Sequence, residues 1–114
     1  MDELQVEKKG TTCLISFSGE LTLEITPQLK KEVEEPLMED GCRTLVMDLS
    51  QTNFLDSSGI GFLVALNNKI KQIGKKFFLF KPSSQVRKTL SLVKLIDYFT
   101  VLENQKELDK VLQG

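Results

Sequence analysis

The spacing of hydrophobic positions changes period along this chain. Leu4 and Val6 alternate with polar neighbours, and beyond a Lys8-Lys9-Gly10 turn the run from Cys13 to Phe17 is apolar enough for the interior of a sheet. The pattern predicts a β-hairpin with strands near 3–8 and 12–18. The period then lengthens: Ile25, Leu29, Val33 and Leu37 recur every four residues, behind Thr26-Pro27, which reads as an N-cap followed by proline at the first helical position. Pro36 lacks an N–H donor, so a kink or an early break is expected there. Residues 43–49, RTLVMDL, are a short continuous apolar run of the kind covered on both faces of a sheet. A second helix is predicted over 58–73, with Gly74 as its C-cap. It is followed by a buried strand from Phe77 to Phe80. After Pro82-Ser83-Ser84 comes a helix carrying Val86, Leu90 and Val93, then a short last strand at Thr100-Val101. Asn104 and Glu107 read as a capping box for a terminal helix with Leu108, Val111 and Leu112 inward.

A hairpin followed by alternating helices and strands implies an α/β fold with a mixed four- to five-stranded sheet and about four helices, in a single domain over 1–114. Projecting 59–73 at about 100° per residue puts Gly59, Phe62, Leu63, Leu66, Ile70 and Ile73 on one arc, the expected core face. Ile60 and Val64 fall outside it, on a stripe with Asn67, Asn68 and Lys71, and are expected to stand in water.

Composition narrows the chemistry. The 114 residues are 40% hydrophobic and 27% charged with a formal net charge of -1, an ordinary soluble balance. No run of Lys and Arg exceeds a pair, which argues against direct nucleic-acid binding, since phosphate binding needs a basic field. The first residues are polar and no apolar run approaches the length of a membrane span, so a cytoplasmic protein is expected. Cys13 and Cys42 are distant in sequence and lie in apolar runs, and they are expected to be buried, reduced thiols. The chain has no histidine. That excludes a Ser-His-Asp or Cys-His apparatus and a histidine-ligated zinc, and no metal or other cofactor is expected.

The stretch FLDSSGIG, residues 54–61, places an acid, two hydroxyls and two glycines at the mouth of the second helix. One side chain among Asp56, Ser57 and Ser58 suffices to cap it, for about 1 kcal/mol. Asp56 reads either as that cap or as an acceptor orienting the Ser58 hydroxyl, with the cap preferred. Gly59-Ile60-Gly61 supplies only half of a dinucleotide fingerprint, and Asp56 stands where a nucleophile elbow needs glycine, so neither motif is met; a small-ligand or nucleotide-binding domain stays open as a third reading because helix mouths attract anions, and an enzyme comes last. A hydroxyl left over beside apolar Ile60 and Val64 points to a docking surface.

In order and spacing the chain resembles the STAS domain (sulphate transporter and anti-sigma factor antagonist), in its small stand-alone bacterial form. The matching positions are Gly19-Glu20-Leu21, Leu45 to Leu49 with Asp48, the loop Phe54 to Gly61, and Pro82 to Arg87. The resemblance implies a non-catalytic anti-sigma factor antagonist. Its unphosphorylated form would bind an anti-sigma factor that is also a serine protein kinase, freeing a sigma factor. Phosphorylation of the serine before the glycine, here Ser58 with Ser57 as the fallback, would release it, and a metal-dependent serine phosphatase would reset the switch. The free protein is expected to be a monomer. The alternative is a STAS module in another assembly, such as a stress-signalling complex or a lipid-transport machine, with no phosphorylation. Asp56, Gly59 and Gly61 form the cap and loop, and the expected partner surface is Thr22, Leu23, Ser57, Ile60, Val64, Asn67, Asn68 and Lys71, with Ser58 central to it beside Ile60 and Val64. Thr22 departs from the acid usual in the family and removes a charge near the loop.

Overall fold

The computed structural model describes residues 3–113. Strands β1 (Glu3–Lys9) and β2 (Thr12–Leu21) form the expected antiparallel hairpin, with Lys9 opposite Thr12. Helix α1 (Thr26–Leu37), β3 (Thr44–Asp48), β4 (Thr52–Leu55), α2 (Ser57–Gln72), β5 (Lys76–Phe80), α3 (Ser84–Leu92), a 3-10 turn over Ile96–Tyr98, β6 (Val101–Leu102) and α4 (Gln105–Gln113) follow. The sheet runs β1-β2-β3-β5-β6, all pairs after the hairpin being parallel, and β4 pairs with β2 off this path.

Alternation along the strands assigns the two faces. Cys13, Ile15, Phe17, Leu45, Met47, Phe77 and Leu79 pack with Leu29, Val33 and Leu37 of α1, Leu63, Leu66 and Ile70 of α2, and Val86 and Leu90 of α3. Val46, Phe80 and Leu102 point the other way, onto Leu108 of α4, with Val111 and Leu112 packed beside them. The sequence motif RTLVMDL is uninterrupted because β3 is covered on both faces.

β4 is the element that hydrophobic patterning missed. Its TNFL is buried only at its ends, Thr52 and Leu55, and is too short to show a period. It exists because β2 changes partners: β2 pairs with β3 over Thr12–Ser16, then passes Gly19 at φ +118° and pairs with β4. That positive φ favours glycine. The register shift between Gly19 and Glu20 is the bulge that turns the strand. Thr52 secures the junction by donating its Oγ1 hydrogen to the Phe17 carbonyl at 2.8 Å.

Two local expectations need correction, at Thr26 and at the helix ends, and one is met. Thr26 is the first residue of α1 rather than its cap; Ile25 takes the cap position and the first turn is held instead by the Thr22 carbonyl, which accepts from the N–H groups of Ile25 and Thr26 at 3.0 Å. Pro36 lies in the last turn and the helix stops at Leu37, which is the break expected there rather than a kink. Val93 and Ile73, placed inward by periodicity, are exposed, each being the residue at which its helix has already ended.

Candidate functional site

The helix mouth is built from β4, which delivers Asp56 one residue past its end, beside the end of β2. The Asp56 N–H donates to the Leu21 carbonyl at 3.3 Å. Its Oδ1 accepts the N–H of Gly59 at 2.8 Å, the N-cap bond, and its Oδ2 accepts the N–H of Leu23 at 3.0 Å. The carboxyl is held below the usual aspartate range, first by the Gly59 N–H; burial opposes this, and the N–H groups of Leu23 and Ser58 add to it. Asp56 is thus the cap, as its sequence position suggested, and it also ties the loop entering α1 to the mouth of α2.

Gly59 is required by close approach. A Cβ there would stand 2.2 Å from the Leu21 carbonyl oxygen, so α2 rides directly on the backbone of β2. Gly61 meets nothing within 4 Å and has no packing reason to be glycine.

With Asp56 serving the backbone, the Ser57 and Ser58 hydroxyls have no hydrogen-bond partner among the described residues. Ser57 is exposed and Ser58 half-buried. Ser58 lies at one end of a groove of about 610 Å³ between α1 and α2. Phe62, Ala65 and Leu66 of α2 and Leu23, Thr26 and Pro27 line its apolar part, and Lys30, Glu34 and Lys69 its polar part. Lys69 donates to Glu34 at 2.9 Å across the far end, and this bond is the first cause of the lowered Glu34 carboxyl pKa. Leu23 is 66% exposed, and Phe54, two residues before the cap, is 48% exposed. Ser58 thus lies beside accessible apolar surface, and exposed apolar patches of this kind mark interaction sites on soluble domains.

The other flank of α2 looks away from this groove. Asn68 Oδ1 accepts from the Tyr98 hydroxyl, and Lys71 Nζ sits 5.7 Å from the centre of the Tyr98 ring. Among the described residues no three His, Cys, Asp or Glu side chains come together to hold a metal, and no helix is long and apolar enough to cross a membrane.

Residues 3–108 match the STAS domain family. The chain belongs to the STAS domain family. It is 27% identical over 89 residues to the anti-sigma-B factor antagonist of Staphylococcus aureus, covering 78% of this chain and 82% of that protein. An anti-sigma factor antagonist from Mycobacterium paratuberculosis shares the fold with a TM-score of 0.85 at 23% identity, over 100% of this chain and 96% of that one. The antagonist SpoIIAA in its unphosphorylated form superposes with a TM-score of 0.80 at 21% identity, over 98% of each chain, and its phosphorylated Bacillus form with 0.73 at 21%, over 96% and 99%.

Within this STAS domain the expected partner surface divides in two. Ser58 and Ile60 are two residues apart on a helix and therefore about 200° apart around it, so Ser58 does not share a face with Ile60 and Val64. Both aliphatics, expected in water, are half-buried and pack against the core. Asn67 is not on the surface either: it is 2% exposed, and its Nδ2 is buried without a partner among the described residues. Asn68 and Lys71 are at the surface but engaged with Tyr98. Leu23 does share the surface of Ser58, and Thr22, half-buried, contributes its carbonyl to α1. The stripe that does accompany Ser58 is Phe62, Ala65 and Lys69, at spacings of four, seven and eleven. That period was readable in the sequence once the helix start was known; the opposing wall from α1 was not.

Proposed function

We propose that this STAS domain is a cytoplasmic anti-sigma factor antagonist with no catalytic activity of its own, controlled by phosphorylation of Ser58. In the unphosphorylated state it binds an anti-sigma factor that is also a serine kinase and so frees a sigma factor. Phosphorylation releases it, and a metal-dependent phosphatase restores it. The observation that carries the reading is the hydroxyl of Ser58, left without a partner because Asp56 performs the capping, at the apolar mouth of the α1–α2 groove.

The energetics agree. A phosphoserine adds a charge of about -1.5 to -2, and at a helix N-terminus the free N–H groups and the dipole favour an anion, so the domain stays folded when modified. In a dry contact with no cation the same charge costs on the order of 3–5 kcal/mol, which weakens binding by about two to three orders of magnitude. At a wet rim it would be worth only about 1 kcal/mol. Binding control therefore asks for a partner that covers Ser58 together with Leu23 and Phe62, burying the groove rather than the Tyr98 flank.

The test is incubation with candidate anti-sigma kinases of the source organism and ATP, with the phosphate located by mass spectrometry. Stoichiometric modification of Ser58, followed by loss of the kinase complex on a sizing column, is expected. Modification only at other residues, or none with any candidate, overturns the proposal.

A further inference from the structure

The opposite end of the sheet carries a second concave site, unconnected with Ser58. Thr44 and Lys76 are the first residues of the parallel strands β3 and β5, whereas Ser58 follows the C-terminal end of β4. Around them Thr11, Arg43 and, from α4, Lys110 enclose a cavity of about 480 Å³ with Phe78 in its wall. None of its lining residues is acidic. The three cations come from sequence positions more than thirty residues apart, so no basic run announces them; the sheet and α4 bring them together.

Two of the three are held at fixed backbone positions. The Arg43 N–H donates to the Thr11 carbonyl at 2.7 Å, and the Lys76 N–H donates to the Arg43 carbonyl at 3.1 Å. Their charged ends are free: among the described residues Arg43, Lys76 and Lys110 make no side-chain hydrogen bond or ion pair. The dipole at the C-terminal end of α4 favours Lys110 in its last turn, and the carbonyls at the end of α1 account for the neighbouring Lys75, but neither accounts for Arg43 and Lys76. Lys75 Nζ donates to the carbonyls of Leu37 and Glu39 at the end of α1. Among the described residues Arg43, Lys76 and Lys110 bond no carbonyl, and all three line the cavity. Three uncompensated like charges around one cavity repel each other, a cost that an anion in the cavity removes.

We propose that this cavity binds a small anion carrying two phosphate groups. A guanidinium suits paired phosphate oxygens, the two ammonium groups supply point charges, and the Thr11 and Thr44 hydroxyls can donate to remaining oxygens. The cavity is concave and of small-ligand size, which selects a compact anion over a polynucleotide strand needing an extended basic track. Phe78 offers an apolar surface to any organic portion of the ligand.

The test titrates the full chain with inorganic pyrophosphate and, separately, with ADP, following backbone amide shifts and heat. Saturable binding with shifts at Thr11, Thr44 and Lys76 is expected, weakening steeply with salt. Each of Arg43→Gln, Lys76→Gln and Lys110→Gln should lower affinity by about tenfold, while Lys106→Gln, on α4 but outside the cavity, leaves it unchanged. Equal affinities for the two probes identify a free diphosphate, and tighter ADP binding an organic one. No saturable shift with either probe at millimolar concentration, shifts confined to the Ser58 loop, or binding that survives the triple glutamine variant overturns the proposal.

Discussion

The carboxylate of Asp56 accepts from Gly59 with one oxygen, at 2.8 Å, and from Leu23, in the loop before α1, with the other, at 3.0 Å. One side chain thereby closes the mouth of α2 and fixes the edge of the groove in which Ser58 lies. Replacing Asp56 with alanine is expected to lower the melting temperature at neutral pH and to speed hydrogen exchange at the Leu23 amide. The pH dependence follows from the lowered carboxyl pKa. A group whose folded pKa is depressed stabilises the fold above its unfolded pKa and loses that contribution as pH falls through the folded value. The gap between wild type and Asp56→Ala should therefore be widest at neutral pH and narrow in acid, below the usual aspartate range. A gap independent of pH would show that the ionised carboxylate contributes nothing.

The two glycines of the loop should respond to alanine in opposite senses. At Gly59 the new methyl group would stand 2.2 Å from the Leu21 carbonyl oxygen, forcing α2 off the sheet at a cost of about 2 kcal/mol or more. At Gly61 the space is open, and alanine should stabilise α2 by about 0.5–1 kcal/mol. Urea denaturation of both variants measures this. A stabilised Gly61→Ala protein that binds the proposed kinase partner less well would mean that the partner's surface comes close to that bare backbone.

Asn67 presents a buried amide nitrogen with no partner among the described residues. Substituting leucine removes the polar group while keeping the volume, and is expected to raise stability by about 1 kcal/mol. A destabilised Asn67→Leu protein would instead reveal that the amide is satisfied, by water for instance.

Cys13 and Cys42 are both buried in the core, and the Cys13 thiol is pushed up from 9.0 to about 12, first by burial and then by a hydrogen bond with the Cys42 thiol. The thiolate is the reactive form, so disulfide reagents should leave the native protein unmodified at mildly alkaline pH and label it on unfolding. The folded state retains a proton that the unfolded state loses between 9.0 and about 12, so this group's contribution makes stability fall as pH rises through that window. Rapid labelling of the folded protein would contradict this burial.

The division of α2 into two flanks separates the effects of substitution on binding. Ser58→Ala should still bind the proposed kinase partner and Ser58→Asp should bind it about a hundredfold more weakly. Leu23→Ala and Phe62→Ala should weaken binding, whereas Asn68→Ala, on the Tyr98 flank, should leave it within about threefold. Calorimetry on the five variants distinguishes the flanks, and the reverse ranking would move the interface to the Tyr98 side.

The amino-acid sequence by itself determined the hairpin, the four helices of the described residues, the strand covered on both faces and a capped mouth for α2 with Asp56 as its preferred cap, because each of these rests on local period and local hydrogen bonding. The capping box is an instance: the Glu107 N–H donates to Asn104 Oδ1 at 2.9 Å, as spacing alone required. Tertiary structure decided what depends on neighbours distant in the chain. β4 forms because β2 changes partners at Gly19, and Ile60 and Val64 are half-buried because the core reaches around α2. Asn67 is buried although its helical stripe is polar, and Ser58 faces a groove whose other wall comes from α1. Arg43, Lys76 and Lys110 line one cavity only because β3 and β5 begin beside the last turn of α4. Periodicity reports which face of an element is apolar; it carries no information about what the sheet brings to stand opposite that face.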